Sequence, residues 1–259
     1  MEFGLNGKVA LVTGGSRGIG AAIAHSLARE GCSLAICARD GKALEAAAES
    51  LREAGAPHVF ARPLDVTERS EAAPFVAEAV RELGGVDVLV NNVGGNRRKP
   101  FEETTDEDWD DLLELNLLSA LRFSRLAIPE MRKREGGSIV FISSVFGREA
   151  GGPGLSLYNV TKTAMISAAK IMALEVAGDG IRVNSVAPGS IRFPGGSWDR
   201  RVKEDPEGMD AFVEANLPLG RFGTAEEVAN LVTFLASPRA GLLTGACIPA
   251  DGSQGKSLI

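Results

Sequence analysis

Short runs of aliphatic and β-branched residues alternate with longer helical patterns along almost the whole chain, and this alternation most limits how it can fold. Strands are predicted at Lys8–Thr13, Ser33–Ala38, Val59–Arg62, Val86–Val90, Ser138–Ile142, Ile181–Val186 and Cys247–Pro249. Helices are predicted after the first strand and at Lys42–Ala54, Ser70–Leu83, Asp106–Arg134, Tyr158–Val176, Asp205–Asn216 and Ala225–Ala236. Because strands joined through helices form right-handed crossovers, the pattern predicts an α/β fold with a doubly wound, mainly parallel sheet.

The length of the chain and its lack of internal breaks favour a single domain. A chain of 259 residues can form one large domain or two small ones, but this one has no repeat, low-complexity tract or linker. We therefore predict one domain over residues 1–259. Its long helix, Asp106–Arg134, is expected to be capped near Thr105 or Asp106 and to be perturbed near Pro129.

Composition excludes several classes of function. The chain has 28 basic and 34 acidic residues, and only 5% of its residues are aromatic, so neither a nucleic acid nor a membrane is expected as a partner. Two histidines, and three cysteines without ligand spacing, argue against a metal site. The absence of a signal-peptide pattern and of a long apolar stretch, with thiols that are expected to be reduced, predicts a cytoplasmic protein.

A glycine-rich turn, Thr13–Gly20 with the sequence TGGSRGIG, joins the first strand to the first helix. Glycines let the backbone approach a pyrophosphate, and the helix N-terminus supplies N–H donors and a favourable dipole. The same residues also match the Gly-x-Ser-x-Gly pattern of hydrolases, with Ser16 as the nucleophile. We reject this alternative because the only histidines, His25 and His58, lie in the first quarter of the chain. The turn is therefore predicted to bind a dinucleotide.

Three polar residues in the second half of the chain form a candidate catalytic group. Ser144 follows a predicted strand, Tyr158 comes fourteen residues later, and Lys162 lies one helical turn beyond Tyr158. The i, i+4 spacing places Tyr158 and Lys162 on one helix face. Because a phenol titrates near pH ~10, acid–base catalysis near neutral pH needs a stabilised phenolate, which a neighbouring ammonium provides. The Ser144 hydroxyl can hold a substrate oxygen by a hydrogen bond.

With these motifs the chain resembles the short-chain dehydrogenase/reductase family along essentially its whole length. The motifs that match, in order, are Thr13-Gly14…Gly18-Ile19-Gly20, Asp65-Val66, Asn91-Asn92-Val93-Gly94, Asn116, Ser144, Tyr158-x-x-x-Lys162 and Pro188-Gly189. The resemblance implies a Rossmann-type sheet of about seven strands and hydride transfer between a nicotinamide and a carbonyl or alcohol. The subgroup that looks most similar is the 3-oxoacyl-acyl-carrier-protein reductase type, whose members are commonly tetramers joined through two long helices.

The resemblance also implies a role for each motif. Tyr158 would be the acid–base, Lys162 would bond the nicotinamide ribose and lower the tyrosine pKa, Ser144 would position the substrate, and Asn116 would hold a water in the proton relay. Asp65 and its neighbour would meet the adenine. The residues predicted to bind the cofactor are Gly14, Ser16, Arg17, Gly18, Ile19, Gly20, Arg39, Asp65, Val66, Asn92, Gly94, Tyr158, Lys162, Pro188, Gly189 and Ile191.

Several of these motifs also have a purely structural interpretation. The segment Asn91–Gly94 suits a turn that ends a strand, Asn116 suits a cap or a bend in the long helix, and Asp65 suits a helix cap. The chain also departs from the family at two places. Val93 replaces the usual alanine, and Ser190 follows Pro188-Gly189 where many members have a threonine that contacts the nicotinamide carboxamide. Ile191 fits its place beside the nicotinamide ring.

The predicted cofactor is NADP. NAD enzymes need a carboxylate at the end of the second strand for the adenine ribose 2′-hydroxyl. The resemblance places Ala38 there, followed by Arg39, while Arg17 lies within the glycine turn. Two guanidinium groups beside a 2′-phosphate would form strong charge-assisted hydrogen bonds. The alternative is that Asp40, twenty residues after Gly20, binds the ribose and selects NAD.

The substrate is less well specified. The basic loop Asn96–Pro100 lies next to the expected cleft and would attract an anionic substrate such as an acyl-thioester carrier, unless it is simply a solvated loop. Residues Ser190–Pro218 are predicted to be a lid that shapes the substrate pocket. Because the lid differs from the common reductase pattern, a sugar, polyol or other secondary alcohol stays open as an alternative to a 3-oxoacyl thioester.

The helix from Tyr158 is apolar nearly all round, since only three residues between positions 164 and 177 are polar. Such a helix is buried on more than one side, either within the monomer or at a subunit interface, and with the resemblance it predicts a homotetramer. One alternative is not an enzyme at all, namely a nicotinamide-sensing protein that has kept the fold. Such proteins typically lose the catalytic serine, tyrosine or lysine, and this chain has all three.

Overall fold

Seven parallel strands form one twisted sheet in the computed structural model, which describes residues 2–258. The strands are β1 (Val9–Thr13), β2 (Ser33–Ala38), β3 (Val59–Pro63), β4 (Val88–Asn91), β5 (Gly137–Ile142), β6 (Ile181–Pro188) and β7 (Cys247–Ala250). Their order across the sheet is β3-β2-β1-β4-β5-β6-β7, and every pair is parallel. The prediction of a Rossmann-type, doubly wound sheet is therefore confirmed. The strand order reverses between β1 and β4, where such folds bind their ligands.

Helices cover both faces of this sheet. They are α1 (Gly18–Arg29), α2 (Gly41–Glu53), α3 (Ala72–Leu83), α4 (Asp106–Leu113), α5 (Ser119–Lys133), α6 (Ser156–Val176), α7 (Ser197–Glu204), α8 (Pro206–Asn216) and α9 (Ala225–Ala236). Side chains of α1, α2 and α9 pack in one apolar core, and those of α3, α5 and α6 pack in a second core. Sequence periodicity predicts all of these helices except α7, which lies in the expected lid.

The long helix between β4 and β5 is interrupted at a different place from the one expected. The chain turns through a π-helical segment at Glu114–Leu118, and α5 then continues through Pro129, so the predicted perturbation at the proline is wrong. Asn116, at the middle of the wide turn, is fully buried and directs its amide to Gly95 and Thr161 rather than along the helix. The N-terminal cap is as expected, with the Thr105 hydroxyl accepting from the Asp108 amide in a capping box.

Two further properties of the described residues concern membrane-spanning helices and the cysteine thiols. Between residues 2 and 258 no helix has both the length and the apolar character that crossing a bilayer requires. The three cysteines form no disulfide. Cys32 and Cys37 are fully buried, and burial raises the pKa of each thiol to about 12. These two thiols are therefore poor nucleophiles and poor metal ligands.

Candidate active site

A cavity of about 750 Å³ opens at the carboxyl ends of the central strands, where the strand order reverses. Its walls include Ser144 and every predicted cofactor residue except Gly18. The predicted residues that it brings together are Gly14, Ser16, Arg17, Ile19, Gly20, Arg39, Asp65, Val66, Asn92, Gly94, Ser144, Tyr158, Lys162, Pro188, Gly189 and Ile191. Residues that are more than 170 positions apart in the chain therefore share one site.

Close backbone contacts explain why the turn after β1 is rich in glycine. A Cβ atom at Gly20 would collide with the carbonyl oxygen of Gly14, and Gly14 itself has a φ of +68°. The Asn92 side chain donates to the carbonyl oxygens of Thr13 (2.9 Å) and Gly14 (3.3 Å), which ties the turn to the end of β4. Only residues without a side chain fit a turn packed this tightly.

The first helix begins directly after this turn, and its N-terminus faces the cavity without a side-chain cap. Arg17 occupies the N-cap position, and its side chain makes no capping hydrogen bond. The first backbone N–H groups of α1 therefore keep donor capacity for an anion, and the helix dipole favours negative charge there. Gly18 lies outside the cavity because the Phe193 ring covers it, with ring atoms 2.7 Å from the position that a Cβ would occupy.

Ser144, Tyr158 and Lys162 meet on one side of the cavity. The Ser144 hydroxyl lies close enough to the Tyr158 phenol to lower its pKa, and it accepts a hydrogen bond from the Phe146 amide at 3.2 Å. The Lys162 ammonium lies 5.8 Å from the centroid of the Tyr158 ring and donates to the carbonyl oxygen of Ile142 at 2.8 Å. Serine and tyrosine thus present two hydroxyls to the same point, and the lysine places a cation beside them.

Burial sets the protonation states of this group. Burial raises the pKa of Tyr158, against the opposing effect of its hydrogen bond with Ser144. Burial also lowers the pKa of Lys162 to about 8, because the ammonium loses hydration when only 3% of the residue is exposed. The net shift of the Tyr158 pKa is upward because burial outweighs the lowering, and the expected effect of Lys162 on this pKa stays a prediction. The phenol is therefore protonated near neutral pH and can donate a proton.

Asn116 lies beneath the catalytic group and does not reach the cavity. Its side-chain oxygen accepts from the Gly95 amide at 2.7 Å, and its nitrogen donates to the Gly95 carbonyl (3.0 Å) and the Thr161 hydroxyl (2.9 Å). A Cβ at Gly94 would lie 2.9 Å from the Lys162 Nζ and 3.2 Å from the Asn116 Oδ1. Asn116 thus joins the loop after β4 to α6, close to the lysine.

The far end of the cavity carries the charges that would select between NADP and NAD. Arg17 and Arg39 are exposed at its rim, and Arg39 lies 3.7 Å from the Asp65 carboxylate. The Asp40 carboxylate, the alternative partner for a ribose, accepts a hydrogen bond from the Ala43 amide at 3.1 Å and caps α2. This contact occupies one oxygen of Asp40. The cations at this end of the cavity are the guanidinium groups of Arg17 and Arg39.

The basic loop beside the cavity is largely neutralised by its neighbours. Arg97 forms ion pairs with Asp108 and Asp111, and Lys99 lies 2.8 Å from Asp108. Arg98 donates to the Pro153 carbonyl at 3.2 Å and is not in an ion pair among the described residues. Since two of the three cations are paired, the loop offers little net attraction to an anionic carrier, which agrees with the alternative that it is simply a solvated loop.

Two aromatic residues of the predicted lid reach the cavity, although neither was predicted as a catalytic or cofactor-binding residue. Phe193 and Trp198 both line it. The Trp198 ring stacks on Phe212 with centroids 4.8 Å apart and also contacts Phe222 at 5.2 Å. The signal that could have identified this cluster is composition, because a chain with only 5% aromatic residues concentrates three of them between positions 193 and 212.

Comparisons with known proteins agree with this geometry. The family model described as enoyl-(acyl carrier protein) reductase matches residues 14–253. A 3-oxoacyl-[acyl-carrier-protein] reductase of Thermotoga maritima is 38% identical over 251 residues, covering 96% of this chain and 98% of that protein. The chain belongs to the short-chain dehydrogenase/reductase family. It is therefore an oxidoreductase, and its resemblance to the 3-oxoacyl-acyl-carrier-protein reductase type is confirmed.

Solved structures of the same family match the entire chain. L-sorbose reductase from Gluconobacter frateurii, complexed with NADPH and L-sorbose, superposes with a TM-score of 0.95 at 36% identity, with full coverage of both chains. A 7α-hydroxysteroid dehydrogenase complexed with NADH and a 7-oxo bile acid superposes with a TM-score of 0.90 at 30% identity, covering 100% of this chain and 98% of that one. Short-chain dehydrogenase/reductases with such different substrates therefore share this fold.

Replacing Lys162 distinguishes its effect on the stability of the protein from its role in catalysis. The depressed pKa means that the buried ammonium costs about 3 kcal/mol at neutral pH, partly offset by about 1 kcal/mol from its bond to Ile142. We expect Lys162→Met to be at least as stable as the wild type at pH 7, and to lose at least ~100-fold in kcat.

The pH dependence provides the control. The cost of the ammonium is fully present below pH 8 and disappears as pH rises towards the unfolded value of 10.5, because the folded lysine loses its proton first. The wild type should therefore gain stability relative to Lys162→Met between pH 8 and 10.5, measured by thermal unfolding. A variant that is clearly less stable than the wild type at pH 7 would contradict this.

Proposed function

We propose that this protein is an NADP(H)-dependent reductase of a ketone to a secondary alcohol. The observation that carries the proposal is the meeting of Ser144, Tyr158 and Lys162 inside the cavity that also holds the uncapped glycine turn. One part of this arrangement fits a dinucleotide, and the other part fits a carbonyl oxygen. The residues assigned to both parts are those predicted from the sequence.

The cavity suits a nicotinamide dinucleotide. The turn at Gly14 and Gly20 admits no side chain, and the free N–H groups of α1 suit a pyrophosphate. Arg17 and Arg39 supply charge for a 2′-phosphate, and Lys162, on the catalytic side, would bond the nicotinamide ribose. When bound, NADPH supplies the hydride that reduces the carbonyl carbon.

The chain's own residues handle the proton. The Ser144 and Tyr158 hydroxyls line the same cavity, and both donate to a carbonyl oxygen that enters between them. Because the tyrosine pKa is raised, the phenol carries its proton near neutral pH and can transfer it to the oxygen as negative charge develops there. Lys162 stabilises the resulting phenolate, and Asn116 holds the loop next to Lys162 in place.

Tyrosine replacement tests this reaction. Tyr158→Phe keeps the ring and removes the hydroxyl, so we expect kcat/KM for ketone reduction with NADPH to fall at least ~100-fold while NADPH affinity changes less than ~threefold. A panel of ketones and acyl thioesters followed through the absorbance of the reduced nicotinamide is the measurement. A variant that keeps more than half of the wild-type rate would show that Tyr158 is not the proton donor.

Arg39 offers a test of cofactor choice. We expect Arg39→Ala to raise the KM for NADPH about tenfold and to leave that for NADH nearly unchanged, because only NADPH carries the 2′-phosphate. Lys42→Ala is the matched control, since it removes an exposed cation from the same segment that does not line the cavity. Equal changes for both cofactors, or better activity of the wild type with NADH, would refute the assignment of NADP.

We consider two substrate classes, a 3-oxoacyl thioester and a sugar or polyol ketone. One observation favours the sugar or polyol ketone. A 3-oxoacyl thioester on a carrier protein fits the similarity to the Thermotoga maritima enzyme. The paired charges of Arg97 and Lys99 leave little attraction for an acidic carrier, and the full-length likeness to L-sorbose reductase extends to every part of the chain. We therefore add a sugar or polyol ketone as the second candidate, and the panel above distinguishes the two.

We propose that the protein is a single domain. Within it, residues 190–218 form a lid that shapes the substrate pocket. The segment carries α7 and α8, and its Phe193 and Trp198 already contact the cavity. Asp199 holds the segment together, since its carboxylate accepts from Arg192, Lys203 and the Gly195 amide. We also propose a cytoplasmic location, which the unpaired cysteines support.

A homotetramer is supported by an apolar stripe on α6. Val160, Ile171 and Leu174 are 48%, 53% and 69% exposed, and their spacings of eleven and three residues place them on one helix face. Leu118, in the π-helical turn that contacts α6, is also exposed. Apolar side chains on neighbouring elements are typical of a subunit interface.

Oligomer mass tests this surface. We expect Leu174→Glu to halve the particle mass measured by light scattering after gel filtration, because it places a charge in the apolar stripe. Leu242→Glu is the control, since Leu242 is 97% exposed and lies outside α6. An unchanged mass for Leu174→Glu, or a monomeric wild type, would contradict the proposed assembly.

A further inference from the structure

The residues after β7 form a short segment, Asp251–Ser257, that we name the C-terminal strap. Its first turn is held by Asp251, whose carboxylate accepts from the amides of Ser253 (3.0 Å) and Gly255 (2.9 Å). The Gln254 amide donates to the Asp251 carbonyl at 3.1 Å. These hydrogen bonds fix the conformation of the first half of the strap. They therefore also fix the direction in which its later residues run.

One contact of the strap is with the segment that follows β6, which forms one wall of the cavity. The Gln254 side-chain oxygen accepts a hydrogen bond from the Ser190 amide at 2.7 Å. A Cβ at Gly189 would lie 2.7 Å from that same oxygen and 2.9 Å from the Asp251 Cα, so the two backbones touch. Gly189 and Ile191, on either side of the bonded amide, both line the cavity.

The strap is bound next to the loop that follows the catalytic serine. One carboxylate oxygen of Glu149 accepts from the amides of Lys256 (2.5 Å) and Ser257 (2.8 Å). Glu149 comes five residues after Ser144. A carboxylate that accepts two backbone N–H groups forms charge-assisted bonds, which are stronger than hydrogen bonds between neutral groups.

The same loop is fixed to the catalytic helix by the residue after Tyr158. The Asn159 amide nitrogen donates to the carbonyl oxygens of Phe146 (2.6 Å) and Glu149 (2.7 Å), and its oxygen accepts from the Gly151 amide at 3.3 Å. A continuous chain of hydrogen bonds thus runs from the start of α6 through the loop and the strap to Ser190.

We infer that the C-terminal strap couples the two walls of the active site, with Glu149 and Gln254 as its positioning residues. Neither side chain lines the cavity, so both act through others: Gln254 through the backbone at Ser190, and Glu149 through the loop after Ser144. The inference rests on the proposed function, because it assigns the wall at Gly189–Ile191 to the nicotinamide end of the site. Loosening that wall misplaces the reacting groups, which lowers kcat more than it lowers affinity.

Substitutions at the two anchors test the coupling. We expect Gln254→Ala and Glu149→Ala each to lower kcat about tenfold, while the KM for the ketone changes less than twofold. Gln254→Glu and Glu149→Gln keep the accepting oxygen and should retain at least half of the wild-type kcat. Because one strap joins both sites, the double variant should be no slower than the slower single variant, whereas independent effects would multiply to about a hundredfold.

Amide hydrogen exchange gives a readout that does not need turnover. In the cofactor-free protein, Glu149→Ala should speed exchange in a peptide that covers residues 189–192, although the substituted residue lies on the opposite wall. Glu53→Ala, which removes an exposed glutamate at the end of α2, should leave that peptide unchanged. The isosteric Glu149→Gln protein serves the same comparison if the alanine variant folds poorly, and should exchange like the wild type.

The outcomes separate this inference from the proposed function. A wild type that reduces no ketone with NADPH overturns the proposed function, whatever the strap does. If the wild type is active, single variants with kcat within twofold of it, a multiplicative double variant, or unchanged exchange in residues 189–192 of Glu149→Ala would each overturn the coupling.

Discussion

The contact between Thr13 and Asn92 at the reversal of strand order is the interaction on which the site depends. The Thr13 hydroxyl accepts from the backbone amides of Asn92 (3.0 Å) and Val93 (3.3 Å), and the Asn92 side chain returns a bond to the Thr13 carbonyl. β1 and β4 diverge at this point, so their carboxyl ends leave a crevice instead of a closed edge. The glycine turn and the catalytic helix are both positioned relative to these two strands.

Placing the Lys162 ammonium beside this crevice lowers the stability of the folded protein. An ammonium that is almost fully buried donates to the Ile142 carbonyl at 2.8 Å, and its pKa falls because burial removes its hydration. Between residues 2 and 258 no carboxylate forms an ion pair with it, and a carboxylate there would repel the phenolate that forms at Tyr158. The buried ammonium thus lowers the stability of the resting protein but favours the phenolate that forms during the reaction. Such a compromise is typical of active sites.

Local periodicity predicts the strands and most helices, because buried strands and amphipathic helices are encoded by neighbouring residues. The residues that line the cavity are predicted by the motifs and the family resemblance instead. Features with a distant cause could not be predicted. The π-helical turn at Asn116 depends on Gly95 and Thr161, and the pairing of Arg97 depends on acids that lie in α4. The C-terminal strap joins Glu149 to residues more than 100 positions away, a contact that no spacing rule reveals.

The two shifted pKa values also determine which proton form of the catalytic group is present near neutral pH. Reduction begins with a protonated phenol and ends with a phenolate, whereas oxidation must begin with the phenolate. Burial raises the pKa of Tyr158 and lowers that of Lys162, so both shifts oppose the charged pair of phenolate and ammonium. A site that disfavours this pair at rest holds the proton ready for donation, and needs a higher pH to accept one. The same burial that lowers the pKa of Lys162 therefore keeps Tyr158 in the protonated form that ketone reduction requires.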